Sequence, residues 1–457
     1  MFRIFFSTSI LLLAILAATA QQPASIQGVY DKSGDGLVTL YRVEAGNIVP
    51  LATYQADQSR KFGFQFFPPY KGWYVLGTGN EKSPSDKYTF YFKGGEQLSV
   101  SLKQNRYEMT GTANSPENRK LYTWNTLSDS VFQKSVNFSR YSSIWVDFFP
   151  QLEQLVLDAR SFIAKHAAGN DLFSRQLRDL VKMDLLQYSN QFLNTPRASH
   201  PGIKDLSPFY QSMNVEALTK GASLFYSYPW GTRTLGSMLL TGARQKGMTM
   251  KPGLDGFREM MLLVTNDTLK GDLALERMAS IKGYGDLQQY LDVFGKCIVT
   301  PLQVKEKLKR LQALEPFKTG NAGYDFAAIN PDGKKVRLSE LSGKLVLVDV
   351  WATWCGPCKK EEPFWEKLTE RFAGKDIVFT GLSIDQDKEA WKKYLSGKKL
   401  KGLQLHIGES NELSAVYKIS GIPRYLLFDK DGRIINIDAP RPSDEALTAL
   451  IEEWLTK

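Results

Sequence analysis

Only three cysteines and three histidines occur among the 457 residues of this chain. So few thiols in so long a protein exclude a disulfide scaffold, which depends on several bridges to hold a small core. His166, His200 and His406 are scattered, and with Cys297 they supply no second pair of ligands for a tetrahedral zinc site. Past the first twenty residues, no apolar stretch nears the ~18 residues that a membrane-crossing helix needs. The net charge is +10, or +9 without the first twenty residues and their Arg3, but lysine and arginine nowhere cluster. The basic footprint of a nucleic-acid binder is therefore missing. With 43% hydrophobic and 23% charged residues, extended disorder is excluded too. Two or three domains are expected at this length.

The N-terminus has the layout of a secretory signal: a short basic start at Met1-Phe-Arg3, an apolar run from Ile10 to Ala17, and small residues Ala18-Thr-Ala20 before Gln21. A signal over residues 1–20 predicts a mature protein released across the inner membrane, soluble and periplasmic. An uncleaved anchor is the alternative, though the run is short for one. No cysteine follows the site to carry a lipid.

Three regions follow. Residues 21–114 read as an antiparallel β-sandwich, with Phe62, Phe64 and Phe66 alternating with Gly63 and Gln65, and Leu98, Val100 and Leu102 alternating with serines. Asp31-Lys-Ser-Gly-Asp-Gly36 begins like a calcium loop but has Arg42 where the twelfth-position glutamate belongs, so it reads as a hairpin turn. Residues 115–315 change to helical periodicity: Leu152, Leu155, Val156, Ala159, Phe162 and Ile163 share one helix face. Thr300-Pro-Leu-Gln303 combines an N-cap, a first-turn proline and a capping-box glutamine. Residues 316–457 alternate strand and helix, an α/β layer domain with strands over Leu345–Val350, Ile377–Ile384, Tyr425–Phe428 and Ile434–Ile437. Ser443 is the expected cap of a last helix carrying Leu447, Leu450, Ile451, Trp454 and Leu455 on one stripe.

The chemistry concentrates in Trp351-Ala-Thr-Trp-Cys-Gly-Pro-Cys358. Two thiols at this spacing, after a buried strand and at the start of a helix, can close a disulfide, and the helix dipole favours one as a thiolate. A loop of two residues constrains the unfolded chain very little, so reactivity is its purpose. Asp349, six residues earlier, shares a strand face with Leu345 and Leu347; a lone acid there is costly unless used.

These residues resemble the thioredoxin superfamily, and within it the TlpA- and ResA-like secreted thiol–disulfide oxidoreductases. Gly343 through Pro363 is similar to that branch in strand, active site and helix proline; Gly421-Ile-Pro423 looks like its cis-proline loop; Asp325-Phe326 and Val336 through Lys344 resemble its N-terminal hairpin. The 65 residues from Cys358 to Pro423 fit the insertion of the secreted branch. The sandwich and helices resemble regions fused to such domains in Bacteroidetes.

The resemblance implies Cys355 as nucleophile, in a position solvent can reach, and Cys358 as resolving thiol. It implies Asp349 as the buried acid that takes a proton from Cys358, and Glu361 as a second acid for proton handling. For Glu361 a solvated helix charge is the alternative. Trp354, Gly356, Pro357, Ile422 and Pro423 form the expected substrate contacts, whereas Trp351 belongs to the core. Protein thiols and disulfides are the implied substrates, with a membrane-bound electron donor as partner, a link to c-type cytochrome biogenesis, and neither cofactor nor metal. The Gly-Pro dipeptide points to a reductant. An oxidase or isomerase, or a partner-binding protein with a redox switch, remains open; a peroxidase lacks its Pro-x-x-x-Thr context. Cys297 reads as a small buried hydrophobe. Asn137-Phe-Ser139 and Asn266-Asp-Thr268 are glycosylation acceptors only in a eukaryotic host.

Overall fold

The computed structural model describes residues 22–457 apart from 137–141, 249–252, 399 and 409–410. The expected signal segment and the Asn137 acceptor lie outside the described residues. The chain forms two compact units, Met1–Asn266 and Asp267–Lys457.

In the first unit the alternating segments become eight strands: β1 (Ala24–Tyr30), β2 (Leu37–Glu44), β3 (Asn47–Gln55), β4 (Lys61–Phe66), β5 (Gly72–Thr78), β6 (Asp86–Phe92), β7 (Gln97–Lys103) and β8 (Arg106–Met109). They form two four-stranded sheets, ordered β4-β1-β7-β8 and β3-β2-β5-β6. Inward residues of both, among them Ile26, Leu40, Leu76, Phe90, Leu98 and Val100, share one core. One pairing departs from the antiparallel expectation, because β1 and β7 run parallel. The whole second sheet intervenes between them, a connection long enough to return the chain in the same direction. Asp31–Gly36 is likewise a crossing between sheets and not a hairpin, since β1 and β2 lie in different sheets. Cations hold it: Lys32 pairs with Asp86, and Arg60 donates to the carbonyls of Tyr30 at 3.2 Å and Lys32 at 2.6 Å.

Three long helices follow, α1 (Pro116–Val136), α2 (Trp145–His166) and α3 (Leu172–Asn194). Asn118 on α1 closes an edge of the sandwich: its amide exchanges hydrogen bonds with the backbone N–H and C=O of Tyr91, at 2.8 and 3.0 Å, satisfying groups an edge strand leaves open. The α2 face forms as the spacing predicts, with Leu152, Leu155, Ala159 and Phe162 buried. Shorter helices complete the unit: α4 (Pro208–Ser212), α5 (Val215–Leu218), α6 (Ser223–Tyr226), α7 (Gly231–Gln245) and α8 (Gly253–Met261).

The second unit starts with α9 (Asp267–Met278), α10 (Tyr284–Phe294) and α11 (Pro301–Leu314). The capping box of α11 is present, Thr300 accepting from Gln303 and Gln303 from Thr300. The connection after α11 is tied to the sheet: Gly320 N–H donates to Ile434 C=O at 2.8 Å, and Ile434 N–H to Asn321 C=O at 2.8 Å. Cys297 is half-buried, less enclosed than expected, because it ends a short turn of 3-10 helix after α10.

The α/β domain places β9 (Ala327–Ile329), β10 (Lys335–Arg337), β11 (Leu345–Trp351), β12 (Ile377–Ser383), β13 (Leu403–His406), β14 (Arg424–Phe428) and β15 (Ile434–Asn436) in one seven-stranded sheet, ordered β10-β9-β13-β12-β11-β14-β15. Its helices are α12 (Gly356–Arg371), α13 (Lys388–Lys398), α14 (Glu412–Val416) and α15 (Glu445–Leu455). Central β11 pairs parallel with β12 and antiparallel with β14, so it is buried and its C-terminal end delivers the cysteine segment. The α15 cap is Asp444, whose carboxylate accepts from Ala446 N–H, and not Ser443. Two adjacent residues could each cap this helix, and Ser443 is drawn elsewhere.

Candidate active site

Cys355 is the N-cap of α12, one residue past the turn that ends β11, and its sulfur accepts the Cys358 N–H at 3.2 Å. The two cysteines form a disulfide with Cα atoms 5.3 Å apart. A sulfur held at the helix N-terminus by a backbone donor is favoured as an anion once the bond is reduced. In the disulfide form Cys355 is not open to solvent as expected; both cysteines are 3% exposed and pack with Trp351, Ala352 and Trp391. Burial follows from the packing of this segment against the apolar cluster of Trp351, Ala352 and Trp391, with Ile422 alongside. Gly356 and Pro357 lie exposed beside them, and Trp354 is 64% exposed.

The Ile422–Pro423 peptide is cis, and Ile422 packs against the cysteine cluster. Trp351 lies in the core, as its place in the strand implies.

Asp349 is in register with Gly381 of β12 and Tyr425 of β14. Asp349 as a whole is half-buried, but its Oδ1 is sealed and has no hydrogen-bond partner among the described residues. Desolvation pushes its pKa up to about 8, with the Glu361 and Glu362 carboxylates adding like-charge repulsion. That value lies close to the ordinary range of a thiol, ~8.5. Glu361 is 7% exposed and hence no solvated helix charge. It accepts from the Ser443 N–H and hydroxyl, each at 3.0 Å, with Arg441 Nη1 at 3.8 Å. This is what removes Ser443 from the cap of α15.

Sequence reasoning missed Asp385, 2% exposed just past the end of β12. Its carboxylate accepts from Thr353 N–H at 3.0 and 3.1 Å, from the Thr353 hydroxyl at 2.7 Å and from the Ser383 hydroxyl at 2.8 Å. It thereby fixes the turn that presents Cys355. The signal was available: Ser383-Ile-Asp385 closes the parallel strand beside the cysteine strand, where α/β sheets gather their functional groups. Among the described residues, no group of three histidine, cysteine or carboxylate side chains could hold a metal ion. No described helix is long and apolar enough to cross a membrane.

Comparison with known proteins finds similar chains for the C-terminal region. The redoxin family profile matches residues 316–450. The thiol-disulfide oxidoreductase ResA of Bacillus thuringiensis subsp. konkukian is 30% identical over 143 residues, 31% of this chain and 80% of that protein. A thioredoxin of Coprinus comatus is 46% identical over 114 residues, 25% of this chain and 84% of that protein. Among solved structures, a thiol-disulfide oxidoreductase from Bacteroides fragilis is 27% identical, covering 29% of this chain and 98% of its own, with a TM-score of 0.27.

Proposed function

This chain belongs to the redoxin family of thiol–disulfide oxidoreductases, and we propose that it works outside the cytosol, reducing protein disulfides through Cys355 and Cys358. The observation that carries this reading is the Cys355–Cys358 disulfide at the α12 N-terminus, with the half-buried Asp349 carboxyl on the strand leading to it.

In the reduced enzyme the Cys355 thiolate attacks one sulfur of a substrate disulfide. A Cys355–substrate bond forms, and the other substrate sulfur leaves as a thiolate. Cys358 then gives its proton to Asp349 and attacks the Cys355 sulfur. The Cys355–Cys358 bond closes, the second substrate sulfur leaves, and two electrons have passed to the substrate. Asp349 suits this exchange because, with a pKa of about 8, its ionised form can accept a proton from a thiol of similar pKa and return it. Glu361, whose charge faces Asp349, helps to set that value. Trp354 offers an exposed apolar surface to the partner, and the Ile422 backbone beside the cis-proline offers edge pairing to an extended segment. The spent disulfide requires an electron donor; a membrane-bound donor fits a periplasmic protein, and the layout of residues 1–20 supports that location.

Trapping tests this directly. Cys358→Ser should accumulate mixed disulfides through Cys355 with extracytoplasmic proteins, released by dithiothreitol. Absence of such adducts in cells that carry disulfide-bonded partners would refute it.

A further inference from the structure

The first unit holds a cavity of about 570 Å3 that the redox chemistry does not use. It lies where the sheet-edge strands β6 and β8 meet α1 and α3, and its size falls within the ~300–1,000 Å3 of small-molecule sites. Tyr107 and Tyr122, with ring centroids 5.3 Å apart, form part of an aromatic wall. Asp184, 7% exposed, gives a fixed floor: it accepts from Trp124 Nε1 at 2.7 Å, and the Tyr228 hydroxyl lies 2.5 Å from both Asp184 Oδ1 and Gln187 Oε1.

Four acids and three cations line this cavity, and they are unevenly paired; Arg106 reaches Glu108 at 3.4 Å. Its acids are engaged: Asp86 by Lys32, Glu108 by Lys103 at 3.0 Å, Asp129 by Gln133 Nε2 at 3.0 Å, and Asp184 by the contacts above. Lys87 and Arg233 are not, for among the described residues neither makes a hydrogen bond or ion pair. Lys87 is half-buried, its ammonium 5.9 Å from the centre of the Trp230 ring. Burial and then the Arg233 charge lower its proton affinity, against the opposing pull of Asp86. Arg233 stands in the first turn of α7, which has no acid there to offset it. Half-buried Lys87 beside the indole and exposed Arg233 are close enough to repel, and Asp86, which also attracts Lys87, is already paired with Lys32, so an anion between the two cations is favourable.

We propose that this cavity binds a small organic oxyanion, a carboxylate or phosphate carried on a planar ring, with Lys87 and Arg233 holding the anion and Trp230 the ring.

Pyridoxal 5′-phosphate is a suitable probe on the full chain, because it joins a planar ring to a phosphate. Its aldehyde condenses with an amine, losing water, and cyanoborohydride then delivers hydride to fix the imine as a secondary amine. Lys87, located by peptide mapping, should be labelled about tenfold faster by this probe than by pyridoxal, which lacks the phosphate. Phenyl phosphate should suppress the labelling and phenol should not. In Arg233→Ala the ratio of the two rates should collapse toward one, while near-UV circular dichroism and the thermal unfolding of the first unit, serving as the check on folding, stay unchanged. Equal rates with and without the phosphate, protection by phenol as good as by phenyl phosphate, or an unaltered ratio in Arg233→Ala would each overturn the proposal.

Discussion

Ser443 gives both its backbone N–H and its hydroxyl to the carboxylate of Glu361, each at 3.0 Å, across 82 residues of sequence. This contact holds a buried acid toward Asp349 and leaves the capping of α15 to Asp444. Ser443→Ala should therefore behave as the loss of one charge-assisted bond, not of a helix cap. The expected cost is ~1.5 kcal/mol, read as a lower urea midpoint with unchanged slope. Asp444→Ala in parallel should show the smaller loss of a surface cap, ~1 kcal/mol.

Asp349 should make stability depend on pH. The folded carboxyl keeps its proton up to about 8, whereas its ordinary value is 3.8, so folded protein binds the extra proton between those limits. Stability falls as pH rises through that window and levels off above it. Asp349→Asn should be more stable than the parent at pH 8, by on the order of 2 kcal/mol, and nearly equal to it at pH 4. Its resolution of the mixed disulfide should nonetheless slow about 100-fold at pH 7, measured by quenched single turnover. A variant no more stable at pH 8 would show that the carboxyl is not desolvated.

Asp385→Ala should strand the Thr353 N–H and hydroxyl without their acceptor. The predicted loss is about 3 kcal/mol in chemical denaturation. Reduced Cys355 should also alkylate more slowly at pH 7, as its turn loosens and the helix N-terminus stabilises its thiolate less.

Trp354 is 64% exposed and, among the described residues, stands outside the apolar cluster around the cysteines. Trp354→Ala should leave stability within ~0.5 kcal/mol and leave the reaction with oxidised glutathione unchanged. Its KM for a protein disulfide such as insulin should rise several-fold. Equal loss toward both substrates would assign Trp354 to the cysteine environment instead of the partner surface.

What the sequence disclosed follows the range of the forces involved. The Leu345–Val350 run, the cysteine pair at a helix start and the Thr300–Gln303 box are local patterns, and each became the element it implies. Asp349 stood out because a lone acid in an apolar strand needs a reason. Ser443 and Asp444 are both good capping residues, and the choice between them was made by Glu361, distant in sequence and adjacent in space. Asp385 looked like one more strand-end polar residue until β12 was laid beside β11. The parallel β1–β7 pair and the inter-sheet crossing at Asp31–Gly36 depend on which sheet each strand joins. Turn composition does not specify that.

The central claim is that Cys355 and Cys358 exchange two electrons reversibly in the range of a reductant. Equilibrium titration of the purified protein against dithiothreitol, with thiols counted by alkylation and mass spectrometry, tests it most directly. The account predicts one two-electron transition confined to Cys355 and Cys358, near the thioredoxin value of about −270 mV, with Cys297 unchanged throughout. A pair that cannot be cycled, or a midpoint near the strongly oxidising −120 mV or so of a disulfide donor, would contradict it.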